Sequence, residues 1–230
     1  MQYLGGKSRF AAAISDILVA AGQKHGVPAY CEPMVGGASV LAAVGQRLPS
    51  RIAADSCKSL IHMWKAIMGG WIPDTGVSEE QYRAIRNDPE RYPPEIVAFV
   101  GFGCSWGGKW FGGYARGNGG DYSAMTCRTL MRQRDQIYGT RFYHADYRYL
   151  PQIDAVWYFD PPYAGTTGYQ STFDSIAFWQ YVNGIKSPVF VSEYKAPPQW
   201  KIVWEKTTYT KLQQGKLSRG RIERLFAKVS

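Results

Sequence analysis

Apolar residues recur at helical spacing through Phe10, Ile14, Ile17, Leu18 and Ala21, which predicts a helix over residues 8–24. A short apolar run over 27–31 follows and ends at Glu32-Pro33 and the turn Gly36-Gly37, the pattern of a buried strand. Helical spacing resumes over 39–48 through Val40, Leu41 and Val44. Residues 51–54 predict a second strand closed by Asp55, and another helix lies around 60–68. Strand, turn, helix, strand, helix is the order of a parallel sheet covered by helices, so the predicted class is α/β.

The pattern breaks between about 69 and 120. Residues 101–120 hold nine glycines among Phe102, Trp106, Trp110, Phe111 and Tyr114. Helical spacing returns over 123–138, and strand-like runs recur at 141–144, 155–159, 188–192, 201–205 and 221–229. A polar Lys/Gln/Gly segment separates the last two, which predicts a terminal antiparallel hairpin. The organisation expected is one domain built from 1–68 and 139–230, with 69–138 inserted.

Composition narrows the class. Hydrophobic residues are 45% of the 230 and charged residues 20%, the balance of a folded globular chain. No apolar run approaches the roughly 18 residues of a membrane span, and no apolar signal core precedes or follows Gly5, Gly6 and Lys7. Cys31, Cys57, Cys104 and Cys127 lack metal-ligand spacing and read as reduced thiols of a cytoplasmic protein. His25, His62 and His144 are scattered, so no metal and no histidine-centred triad is expected. The net charge is +9 and uneven: residues 195–230 carry nine Lys or Arg against Glu205 and Glu223. Residues 101–134 carry Lys109, Arg116, Arg128, Arg132 and Arg134 against Asp121. Such concentration points to a polyanionic partner, or to a basic surface with none.

Four segments carry candidate chemistry. Asp160-Pro161-Pro162-Tyr163 follows the run 155–159. Proline ends the ladder and turns the Asp160 carboxylate and nearby carbonyls out of the sheet, beside the Tyr163 ring. That acceptor cluster can grip a flat molecule with an exocyclic amine; a plain Pro-Pro turn competes on these residues alone. Glu32-Pro33-Met34-Val35-Gly36-Gly37 sits at a strand-to-helix junction, where glycine lets a ligand approach and the helix offers free N–H groups. Asp55, 23 residues after Glu32, suits ribose hydroxyls or a helix cap. Tyr3-Leu4-Gly5-Gly6-Lys7 is a second glycine turn, and Asp146-Tyr147 places another carboxylate at a strand end.

In this order the four segments resemble the Dam-like, alpha-group adenine-N6 DNA methyltransferases, whose recognition region lies between the cofactor motif and the DPPY motif. The resemblance spans most of 1–65 and 140–230. It implies a Rossmann-like methyltransferase sheet, S-adenosylmethionine as donor and transfer to adenine N6 in double-stranded DNA by base flipping. Cytosine N4 as target, or a silent DNA-binding relative, are the alternatives. It further implies cofactor contacts from Tyr3, Gly6, Lys7, Glu32, Pro33, Met34, Gly36, Asp55, Asp146, Tyr147 and Asp160, and catalysis by Asp160, Pro161, Pro162 and Tyr163. Lys7 and Gly6 would face the methionine end, Asp55 the ribose and Asp146 the adenine amine. Met34 stands where the family usually has Phe, and Ala38 replaces a common third glycine.

The inserted segment suits DNA: Lys109 and Arg116 can reach phosphates or guanine edges, and Trp110 can stack. Arg128 and Arg132 suit phosphates, as do Lys216 and Arg219 near the terminal hairpin. A lid that reads no sequence is an equal alternative for the aromatic-glycine part. No obligate protein partner and no membrane is expected. The two basic segments predict that duplex affinity falls steeply with salt, each neutralised phosphate adding about −0.9 to the log–log slope. A titration by fluorescence anisotropy measures it; an affinity flat between low and moderate salt contradicts the clamp.

Overall fold

A computed structural model of the chain describes residues 1–116, 120–162, 173–208 and 220–228. Seven strands form one sheet: β1 (Ala29–Glu32), β2 (Ser50–Asp55), β3 (Arg141–His144), β4 (Val156–Phe159), β5 (Val189–Ser192), β6 (Trp200–Thr208) and β7 (Arg221–Lys228). Their order is β3-β2-β1-β4-β5-β7-β6. The first five run parallel, while β7 lies antiparallel to both β5 and β6. This is the predicted Rossmann-like sheet with its antiparallel end. Strand order reverses between β1 and β4, and ligands of such sheets bind in the crevice at that switch.

The inner strands alternate, and each face of the sheet has its own core. Tyr30, Ala53, Val156, Tyr158 and Phe190 point to one side, where they meet α1 (Ala11–His25), α2 (Ser39–Val44) and α3 (Lys58–Met68). Cys31, Ile52, Trp157, Phe159 and Val191 point to the other and meet α7 (Ser175–Gly184) through Phe178 and Val182. Local chemistry sets the helix ends. Gly26 closes α1 at φ 66°, and the Asp174 carboxylate caps α7 by accepting from Ile176 N and Ala177 N. Among the described residues no helix is long and apolar enough to cross a membrane.

Predicted bounds agree within a few residues for most elements, but 69–120 is not the irregular stretch its pattern suggests. It holds α4 (Glu79–Asn87) and α5 (Pro94–Ala98), the latter continued by a π-type turn over Phe99–Gly103. α4 buries only Tyr82 and Ile85, too few for a visible apolar stripe, and starts at the capping box Ser78/Gln81. The glycines of the π-type turn are packing residues: a Cβ on Gly101 would lie 2.6 Å from the Trp110 ring. α6 (Tyr122–Ile137) follows as predicted, and Tyr82, Phe99, Leu130 and Ile137 share the core of the first sheet face. α7 is a further helix outside the sequence prediction.

The turn from β1 to α2 carries local strain. Gly36 has φ 45°, and Ala38, where the resemblance leads one to expect glycine, sits at φ 54° and ψ 30°. A left-handed alanine costs about 1–2 kcal/mol, part of which glycine returns through its freer unfolded chain. Ala38→Gly is therefore expected to stabilise the fold by about 0.5–1 kcal/mol. Gly36→Ala works oppositely, because its Cβ would also meet the Tyr3 ring at 2.9 Å. Urea titrations of both variants check the pair of signs; a shift in the same direction for both contradicts the strain account.

Candidate active site

Each of the five parallel strands delivers an acid at its carboxyl end: Glu32 from β1, Asp55 from β2, Asp146 just past β3, Asp160 after β4 and Glu193 after β5. Four of them, all but Glu193, line a cleft of about 1140 Å³ at the switch point. Its described lining holds six carboxylates (Glu90 and Asp174 are the others) against the cations Lys7, Lys58 and Arg148. In a chain of net charge +9 this cleft is acidic. Such a lining suits a ligand that brings positive charge and N–H donors, and opposes a polyphosphate.

Lys7 lies at the centre. Its side chain is 6% exposed, and Nζ sits 2.7 Å from Asp160 Oδ1 and 3.6 Å from Glu223 Oε1. Nζ also donates to Asp160 Oδ2 and Gly5 O, both at 2.9 Å. Asp160 Oδ1 accepts no well-directed hydrogen bond among the described residues. Burial pushes the Asp160 carboxyl up to about 6 against the pull of Lys7, and the charges of Glu223 and Glu193 add to the rise. Glu193 and Glu223 are site residues outside the sequence prediction. The strand-end rule points to Glu193, but Glu223 reaches Lys7 only because β7 inserts beside β5.

The glycine turn is braced from several sides. Gly36 N donates to Asp55 Oδ2 at 3.0 Å, Cys57 N to Asp55 Oδ1 at 2.9 Å, and Trp64 Nε1 to Gly36 O at 3.0 Å. Asp55 thus ties the turn to the start of α3, and burial raises its pKa. Gln133 of α6 donates to Gly37 O at 2.9 Å and to Ala38 O at 3.3 Å. Glu32 is buried and accepts from Tyr30 OH at 2.7 Å; burial holds its carboxyl well above the ordinary range, despite that bond. Tyr3 packs on this turn and on Phe102, and Gly6 N closes onto Tyr3 O at 2.9 Å. Pro33 and Met34 line the cleft, as do Tyr3, Gly6 and Pro162, while Pro161 is buried.

Asp146 is engaged by Arg148, whose Nε and Nη2 lie 2.8 and 2.9 Å from its two oxygens; that pairing holds the carboxyl below its usual range. Tyr147 is largely core, packed edge-on against Phe178 and Tyr181, though part of it faces the cleft. Of the DNA candidates, Trp110 lines the cleft and packs tilted against Phe102 and edge-on against Phe111, and Lys109 is exposed beside it. Arg128 and Arg132 stand one turn apart on the exposed face of α6. Arg116 lies apart from the cleft, paired with Glu79 through Nη2 at 2.6 Å and Nε at 3.2 Å. Tyr163, Lys216 and Arg219 lie outside the described residues.

A structure described as a "putative RNA methyltransferase" from Pyrococcus horikoshii is similar over 94% of this chain and 84% of its own, at 12% identity and a TM-score of 0.39. No curated protein matches the chain. Residues 3–93, which contain the Lys7 turn, the glycine turn and Asp55, match the family described as D12 class N6 adenine-specific DNA methyltransferase, and this match supports the Dam-like adenine methyltransferase family for the chain.

Proposed function

We infer that the protein transfers a methyl group from S-adenosylmethionine to N6 of an adenine in double-stranded DNA, acting in the cytoplasm on a base flipped out of the duplex. The observation that carries this reading is the Asp160 carboxylate. It stands at the end of β4 beside the switch-point cleft, held by Lys7 Nζ at 2.7 and 2.9 Å from its two oxygens, with Pro162 on the cleft wall. The D12-class match supports DNA as the substrate class. The acidic lining supports a sulfonium donor over a phosphate-rich ligand.

The donor fits these residues. The acidic lining of the cleft as a whole complements its positive charge, and the turn from Glu32 through Gly36 offers close backbone approach. Each Asp55 oxygen accepts one backbone bond and keeps a lone pair for ribose hydroxyls. Asp146 is the acceptor for the adenine amine of the donor, in exchange with Arg148. When bound, S-adenosylmethionine supplies a methyl on a positively charged sulfur, which leaves as a neutral thioether. Asp160 and the Pro161 carbonyl accept hydrogen bonds from the target amine. Those bonds favour a pyramidal nitrogen whose lone pair is otherwise delocalised into the purine. That lone pair would receive the methyl group, and the Asp160 carboxylate would take the proton the amine releases. Positioning and fixed charge account for the acceleration. Tyr163 stacks on the flipped base, and residues 69–138 meet the DNA.

Labelled methyl transfer to unmethylated DNA, followed by product nucleoside analysis, tests the reading. N6-methyladenine is expected, N4-methylcytosine moves the target, and no incorporation at saturating cofactor removes the enzyme reading. Asp160→Ala is expected to cut transfer by at least about 10³-fold while cofactor affinity stays within a few-fold.

The rate should also titrate. Asp160 must be ionised to accept from the amine, so kcat/KM falls as pH drops through about 6. Lys7 opposes the burial that raises this group, so Lys7→Met should move the acid limb to higher pH. A pH–rate profile with no acid limb near 6 in wild type, or an unmoved limb in Lys7→Met, contradicts the assignment.

A further inference from the structure

Trp106 is unlike the other seven tryptophans of the chain: its side chain is 65% exposed, while the rest are buried or half-buried. Among the described residues its ring stacks on no other aromatic, whereas the neighbouring Trp110 is held by Phe102 and Phe111. The loop that presents it is tightly braced. Ser105 bridges to Tyr114, Trp106 N donates to Gly113 O at 2.9 Å, and Gly112 N to Lys109 O at 2.9 Å. Tyr82 OH ties the base of the loop through Ser105 Oγ at 2.8 Å and Gly113 N at 3.1 Å. None of these bonds uses the indole, so the loop holds its shape without the ring.

The loop is also docked to the site. Leu4 N donates to Gly108 O at 3.1 Å, and a Cβ on Gly108 would lie 2.6 Å from Tyr3 N. Gly108 and Trp110 line the cleft, and the segment that Gly108 touches runs on to Lys7. Lys109 is exposed on the same loop. A rigid loop at the rim of the target pocket therefore offers solvent one large flat ring with a cation close by. Side chains of that kind enter a base stack and hold the gap open.

Resting on the methyltransferase reading above, we propose that Trp106 is the side chain that inserts into the duplex beside the flipped adenine and occupies the space it leaves. Trp106 is then a positioning residue: it stabilises the extruded base without touching the reacting atoms. The requirement for it vanishes when the target base has no partner to leave.

The experiment compares wild type, Trp106→Ala and Trp106→Phe on an unmethylated duplex bearing the mapped target, and on the same duplex with an abasic site opposite the target adenine. On the paired duplex Trp106→Ala should lose about 10- to 100-fold in kcat/KM, with Trp106→Phe between the two. On the abasic-opposed duplex all three should agree within about threefold. Equal losses on both duplexes, or none on the paired one, overturn the proposal. Quenching of tryptophan emission on binding the duplex is the second readout, expected to be larger in wild type than in Trp106→Phe. Quenching that depends on Trp106 in a wild type that transfers no methyl sinks the enzyme reading and keeps the DNA contact. Transfer without that difference sinks the contact and keeps the enzyme.

Discussion

The ion pair between Lys7 and Asp160 is the constraint on which this molecule depends. It joins two positions 153 residues apart, at 2.7 Å, with the lysine side chain 6% exposed. Partly desolvated charges are tolerable only together, and removing one member of a buried pair typically costs about 3–5 kcal/mol. The segment leading to Lys7 is fixed in turn by Gly108 on one side and the Gly36-Gly37 turn on the other. Three parts of the chain that are distant in sequence thus meet around a few residues near position 7. Asp160 remains high in pKa even so, because burial and two neighbouring glutamates outweigh one ammonium.

That imbalance belongs to the row of acids at the sheet edge. A protein selected for stability alone would not end five adjacent parallel strands in carboxyl groups, since each desolvated charge raises the cost of the next. Burial raises the carboxyls of Glu32, Asp55 and Asp160 together, which marks this edge of the sheet as the candidate site. The basic excess lies elsewhere, with Arg128 and Arg132 on the outside of α6 and Lys109 on the exposed loop. Charge is thereby sorted: the cleft repels phosphate, the outer surface attracts it. On the proposed reading a polyanion would be held at the surface, and a single base with its N–H donors forward would suit the cleft.

Much of this was legible in the chain, and the parts that were not have physical reasons. β1 through β4 and α1 through α3 bury one face or both, so their apolar spacing survives in sequence. Asp55 and Asp160 could be found because a strand that stops at an acid projects it at the ligand-binding edge. α4 escaped because it leans on two buried side chains, and α5 with its π-type turn because Gly101 and Gly103 resemble loop residues. They are there to admit Trp110 and Thr126, whose atoms would lie 2.6 Å from an added Cβ. Trp106 and Trp110 are indistinguishable as letters; only packing shows that one is held and the other exposed. Glu223 joins the site through an antiparallel insertion that no local pattern encodes.

Residues between 69 and 138 share one core with the first face of the sheet. Gln133, on the helix that carries Arg128 and Arg132, holds the carbonyls of Gly37 and Ala38. Thr126 on the same helix donates to Gly103 O at 2.8 Å, at the root of the aromatic-glycine loop. Close-packed interiors pass displacement on instead of absorbing it. The helix with the exposed Arg128 and Arg132 thus also carries the side chains that hold the strained turn at Ala38 and the root of the Trp106 loop. The same turn is braced by Asp55, and the same loop touches the segment that ends in Lys7. The basic face of α6 and the acidic cleft are in this way joined through a few packed residues, Gln133 and Thr126 on one side and Asp55 and the Lys7 segment on the other.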